Sequence, residues 1–98
     1  MVWLRFEWDP RKAVDNLRKH QVSFEEAKTV FLDDEALLIP DEEHSTKEER
    51  FVIMGFSAQL RILAVCHCYR QSDEVIRIIS ARKANRAERR QYERRRTI

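Results

Sequence analysis

Glu74-Val75-Ile76-Arg77-Ile78-Ile79-Ser80-Ala81-Arg82-Lys83 is the stretch on which the fold turns. Its middle is apolar on both faces of an extended chain, as in a strand inside a sheet. Plain alternation puts Ile76, Ile78, Ser80 and Arg82 on one face and Val75, Arg77, Ile79 and Ala81 on the other, provided no bulge intervenes. An arginine inside such a run must reach an edge, a groove or a counterion, because an unpaired buried charge is very costly. Two strand-like runs precede it, Arg50–Phe56 and Leu60–Tyr69. The connectors Ser57-Ala58-Gln59 and Arg70-Gln71-Ser72-Asp73 are short enough for an antiparallel meander.

Upstream, Val2, Leu4, Phe6 and Trp8 alternate with Trp3, Arg5 and Glu7, the period of a further strand. Asp9-Pro10 reads as a helix cap with proline at the first helical position, and the helix runs to Lys19-His20. Ser23-Phe24-Glu25-Glu26 has the form of a capping box for a second helix, with Phe24, Ala27, Val30 and Phe31 as its buried stripe. Ala36–Ile39 is a short strand stopped by Pro40, and residues 41–49 form an acidic, polar, mobile loop. Asn85 and Glu88 can cap a last helix that has only Ala84, Ala87, Tyr92 and Ile98 as apolar contacts. The expected architecture is α+β, with residues 1–98 as one domain. An antiparallel-dominated sheet of four to five strands carries two N-terminal helices and a basic C-terminal helix.

Charge is divided unevenly along the chain. Residues 1–49 hold seven basic and thirteen acidic side chains; residues 50–98 hold twelve basic and four acidic. Eleven of those twelve are arginine, whose planar fork matches phosphate oxygens in two-point contact. A dipolar molecule of this kind suits a polyanion, and nucleic acid is the first to consider. A solvated basic helix, or one that docks an acidic protein, would have the same composition. No apolar run approaches the ~20 residues of a membrane helix, and the start lacks the pattern of an export signal. Cys66 and Cys68 are too close in sequence to staple a fold, which points to a reduced, cytoplasmic setting.

The chemistry-bearing residues are mainly arginines. A groove holding Arg70, Arg82, Arg50 and an aromatic would bind an RNA phosphate and stabilise charge developing on it. Against this, single arginines can pair with Glu7, Glu26 or Asp33 as structural bridges. Trp8 can pack on the sheet or offer a face for a base. A paired-histidine nuclease would need two of His20, His44 and His67 to converge, which sequence alone does not show, and a lone strand histidine such as His67 is first a satisfied core group. Cys66-His67-Cys68 is a poor metal triplet, since adjacent strand residues point opposite ways. Asp33-Asp34-Glu35 and Asp41-Glu42-Glu43 read as solvated caps before magnesium ligands. Neither a metal nor a cofactor is expected.

Phe6-Glu7-Trp8-Asp9, Asn16-Leu17-Arg18-Lys19-His20 and Val22-Ser23-Phe24-Glu25-Glu26-Ala27 resemble the opening of the BrnT family of bacterial toxins. Glu49-Arg50-Phe51 with Gly55 resembles its middle. Ile76 through Ala84, with Glu88 and Tyr92, resembles its ending. The resemblance implies a RelE-like fold and a metal-independent endoribonuclease toxin, in which a 2′-oxygen attacks the adjacent phosphorus to leave a 2′,3′-cyclic phosphate. It also implies translation inhibition, neutralisation by a BrnA-type antitoxin, and operator DNA bound only through that complex. Carried over by position are Arg50, Arg70 and Arg82 as catalytic groups, with Trp8, Arg77 and Lys83 as RNA contacts; Arg86, in the basic C-terminal helix, is a further expected RNA contact. The Cys66–Arg70 segment departs from the family pattern. The alternative is a non-catalytic nucleic-acid-binding or protein-interaction module, using the same arginines for salt-dependent affinity.

Overall fold

The protein's structure, a computed structural model, describes residues 4–96. Val2 and Trp3 of the expected first strand, and Ile98 of the last helix, lie outside the described residues. Five strands form one mixed sheet: β1 (Arg5–Glu7), β2 (Leu37–Pro40), β3 (Phe51–Phe56), β4 (Ile62–Arg70) and β5 (Val75–Lys83), in the order β1-β5-β4-β3-β2. β2 to β5 pair antiparallel, while β1 runs parallel to β5 through Arg5–Val75 to Glu7–Arg77. The meander is therefore as expected. The parallel β1 makes β5 an interior strand only over its first three residues.

Helices α1 (Pro10–His20) and α2 (Phe24–Thr29) cover one face of the sheet, and α3 (Arg86–Arg96) covers part of the other. Asp9 caps α1 by accepting from the Arg11 amide at 2.8 Å, and Gln21 ends it in the left-handed region at φ 55°. Ser23 caps α2 by accepting from the Glu26 amide at 3.0 Å. The other half of that expected capping box does not form. The Glu26 carboxylate turns inward and is 5% exposed, accepting from Ser57 Oγ at 2.7 Å and from Arg61. A complete box does form at α3, where Asn85 Oδ1 accepts from the Glu88 amide and Glu88 Oε1 accepts from the Asn85 amide, both at 2.8 Å.

Beyond Arg77, β5 has no strand on its outer side, and the side chain of Asn16 takes that place. Its Oδ1 accepts from the Ala81 amide at 3.0 Å, while its Nδ2 donates to the carbonyls of Ala81 and Val22 at 2.8 and 2.9 Å. One buried amide thus satisfies three backbone groups and fixes the segment that precedes Arg82.

Among the described residues, α3 has a single deep anchor. Tyr92 is fully buried against Phe56, and its hydroxyl donates to Asp33 Oδ2, which also accepts from the Phe56 amide. That carboxylate explains the chain's lone glycine. A Cβ on Gly55 would stand 2.7 Å from Asp33 Oδ2 and 3.1 Å from the Ala36 methyl. Ala87, expected as an apolar contact of the helix, is exposed.

His67 is fully buried among Phe31, Phe51 and Tyr69. Its Nδ1 lies 3.1 Å from the Val65 carbonyl, which can only accept, so Nδ1 carries the proton and Nε2 accepts from the Tyr69 hydroxyl. Burial holds its pKa below the ordinary 6.5, with the Val65 carbonyl opposing. The unfolded chain therefore takes up this proton first on acidification. Stability is expected to fall as the pH drops below about 6.5, towards the folded value, and to be unaffected by His67 above it. Thermal melts from pH 7.5 to 5.5 check this: His67→Gln should flatten that slope, and an unchanged slope would refute it.

Candidate functional site

The face of the sheet opposite α1 and α2 collects the arginines, and a bulge is what brings them together. Cys66 pairs with Ser80 but His67 with Ile78, leaving Ile79 as an extra residue in β5. Plain alternation therefore fails: Arg77, opposite Cys68, and Arg82, opposite Ala64, fall on the same face. Arg70, two residues beyond Cys68, shares that face.

These arginines form ion pairs that cross the strands. Arg77 Nη1 is 2.6 Å from Glu7, and Arg70 Nε is 3.9 Å from the same carboxylate. Glu48 bridges Arg70 at 3.3 Å and Arg50 at 3.7 Å. Arg82 is held separately and in two-point fashion by Glu88, at 2.7 and 3.0 Å. The hydrogen bonds from Arg82 hold the Glu88 carboxyl below its ordinary range. Each arginine side chain is a third to a half exposed, so these pairs contribute only about 0–1 kcal/mol apiece and can exchange for phosphate oxygens. Of the anticipated bridges, that to Glu7 forms, and Glu26 pairs with Arg61.

Within this face lies a cavity of ≈ 210 Å³ whose walls include Arg50, Arg82, His44, Asp41, Cys66 and Ser80. Two of the three arginines expected to be catalytic therefore meet. Nε of Arg50 is buried there without a hydrogen-bond partner among the described residues. Arg70 does not join them. It shares Glu48 with Arg50 but sits six β4 positions from the level of Arg82, about 20 Å along the strand, too far to hold the same phosphate as Arg82.

The remaining expected RNA contacts divide. Arg77 lies on the arginine face, and Arg86 is exposed at the first position of α3. Lys83 pairs opposite Leu63, so it points to the α1–α2 side, where its charge acts on Glu26 rather than beside Arg82. Trp8 packs edge-to-face on the buried Phe24, with ring centroids 5.8 Å apart. It belongs to the core side and is used for packing, which leaves the arginine face without it as a stacking platform.

The loop from Asp41 to Arg50 is a closed structure rather than a free excursion. The Asp41 amide donates to the Arg50 carbonyl at 2.8 Å, while Ser45 Oγ donates to the Asp41 carbonyl and accepts from the Arg50 amide. A single 3-10 turn, Glu42–His44, folds the histidine back over Asp41 and into the cavity wall. Sequence reading had no signal for this, because one serine hydroxyl closes the loop without glycine or a recognisable turn motif. Cys66 and Cys68 lie on the arginine face and His67 on the other, so the triplet does not converge. Burial pushes the Cys66 thiol up from its ordinary pKa, which keeps it protonated and a poor nucleophile.

A five-stranded α+β protein with an arginine-lined cavity presents donors suited to phosphate oxygens. Residues 8–88 match the family described as the ribonuclease toxin BrnT of type II toxin–antitoxin systems, and the chain belongs to that family. It is similar to the Brucella abortus ribonuclease toxin BrnT, known from a 1.1 Å crystal structure. The TM-score is 0.65 at 26% identity, over 86% of this chain and 100% of that one. No curated protein matches the sequence.

Proposed function

We propose that this BrnT-family chain is a metal-independent endoribonuclease, acting as one domain over residues 1–98 with a RelE-like arrangement. The observation that carries the reading is the meeting of Arg50 and Arg82 in one cavity on a face that also holds Arg70 and Arg77. Arg82 and Arg50 grip the scissile phosphate and stabilise the charge that builds on its oxygens as the 2′-oxygen attacks. Arg70, too distant from Arg82 for that phosphate, and Arg77 hold others along the strand, and Arg86 extends the cationic track. The products are a 2′,3′-cyclic phosphate and a 5′-hydroxyl.

The same cationic face suits an acidic segment of a BrnA-type antitoxin. Both ligands would compete for it, so occlusion explains neutralisation, and operator DNA is reached only through the complex. Cleavage of messenger RNA in the cytoplasm would then inhibit translation. Among the described residues no helix is long and apolar enough to cross a membrane.

The test is cleavage of end-labelled single-stranded RNA in excess EDTA, with product ends examined for the cyclic phosphate. Cutting that survives chelation and leaves cyclic ends is the expected result. Cutting that needs a divalent ion refutes the mechanism. Binding without cutting, on free RNA and in a translation extract alike, favours a binding module built on the same ion pairs.

A further inference from the structure

The arginine cavity has charge to stabilise a phosphate but needs a group to take up a proton. We propose that His44, oriented by Asp41, is the catalytic base that removes the proton from the attacking 2′-hydroxyl, a role that rests on the ribonuclease reading above. Nδ1 of His44 lies 3.1 and 3.0 Å from the two carboxylate oxygens of Asp41. A carboxylate can only accept from a ring N–H, so Nδ1 carries a proton, and in the neutral ring Nε2 is the nitrogen with the lone pair. Nε2 makes no hydrogen bond among the described residues and is the atom available to a substrate hydroxyl.

Position supports the assignment. His44 and Arg50 together line the ≈ 210 Å³ cavity and a neighbouring one of ≈ 410 Å³, so the imidazole stands at the junction of two spaces along the arginine face. Its side chain is 60% exposed and can exchange protons with solvent, whereas that of Asp41 is only 17% exposed and held in the loop. The charged groups around it are Asp41, Arg50 and Arg82 in the first cavity, and Glu43, Lys47 and Glu48 in the second. Other titratable candidates are misplaced: His67 is sealed in the core, the Cys66 thiol is kept protonated by burial, and His20 lines a separate space beside α1. In the step itself, the 2′-oxygen bonds to phosphorus as its proton passes to Nε2 and the bond from phosphorus to the 5′-oxygen breaks. The departing oxygen takes a proton from water, and the resulting hydroxide recovers the one held on Nε2. Nothing else is consumed.

The experiment is single-turnover cleavage of end-labelled RNA from pH 5 to 9, using the whole chain as wild type, His44→Ala and Asp41→Asn. His44→Ala is expected to slow cleavage about 10²–10⁴-fold, to lose the acid-side limb of the pH profile, and to recover in part with free imidazole. RNA affinity should stay within about threefold, because an uncharged imidazole adds little to phosphate binding. Asp41→Asn, a change at a positioning residue, should lower kcat with KM unchanged and alter the same limb. A His44→Ala protein that cuts at the wild-type rate, or slowly but with the acid limb intact, overturns the base while leaving the ribonuclease reading standing. A wild type that cuts neither free nor ribosome-bound RNA overturns both.

Discussion

An Arg82→Ala protein is expected to cleave RNA about 10²–10³-fold more slowly than wild type, while losing no more than ~1 kcal/mol of stability. The two figures come from different environments. In the free protein the guanidinium is 45% exposed and its partner Glu88 lies on the same surface, so solvent can replace either one. In the complex it faces the phosphate across a cavity of ≈ 210 Å³, where water is displaced and a fixed donor acts on developing charge. RNA affinity should fall by only a few-fold, because Arg50, Arg70 and Arg77 still neutralise phosphates. Urea titration, filter binding and single-turnover cleavage on one preparation separate the three quantities. Cleavage within threefold of wild type would remove Arg82 from the mechanism whatever the fate of the ribonuclease reading.

The largest loss of stability is expected at the Glu26–Arg61 pair. Glu26→Ala should lower the unfolding free energy by about 3 kcal/mol, the lower end of the range for breaking a buried pair. The lower end applies because the stranded Arg61 side chain is 29% exposed and can reach water, whereas that of Glu26 is 2% exposed. The reciprocal change, Arg61→Ala, leaves the carboxylate buried with a hydrogen bond from Ser57 and the more distant charge of Lys83, and should cost at least as much. The pair also fixes a pH dependence. The hydrogen bond from Arg61 is the main reason the Glu26 carboxyl sits below its ordinary 4.5, with burial working against it. A depressed carboxyl adds stability in full above about pH 4.5 and loses it as the pH falls through the folded value. Denaturant midpoints from pH 6 down to 3 should fall more gently in Glu26→Gln than in wild type. Parallel curves would disprove the linkage.

Much of the fold could be read from residue pattern, and the reasons for the rest are specific. Local chemistry announced α1 through Asp9-Pro10, the meander through its short connectors, and the cap of α3 through Asn85 and Glu88. Glu26 misled because its capping-box position was outcompeted by an ion-pair partner 35 residues away. The parallel pairing of β1 was invisible, since three residues with alternating polarity carry no mark of direction. At the site, the arginine set was legible from charge and resemblance, and Arg50 and Arg82 do converge. Arg70 was misplaced because sequence gives its strand but not its level on it. Lys83 and Trp8 were misplaced because facing depends on register and packing, and His44 was overlooked because a serine hydroxyl closes its loop.

Ile79, the unpaired residue of β5, has a consequence for how this strand tolerates change. On either side of it the inward-facing positions follow opposite parity: Ile76 and Ile78 are even-numbered, Ala81 is odd-numbered, and all three are buried. Losing that residue would leave plain alternation, with Ile76, Ile78 and Ala81 still facing the core and Arg77 and Arg82 still facing outward. The bulge is in effect a splice between two phases of one strand. What it adds is local bend and twist, not a change in which side chains the core receives.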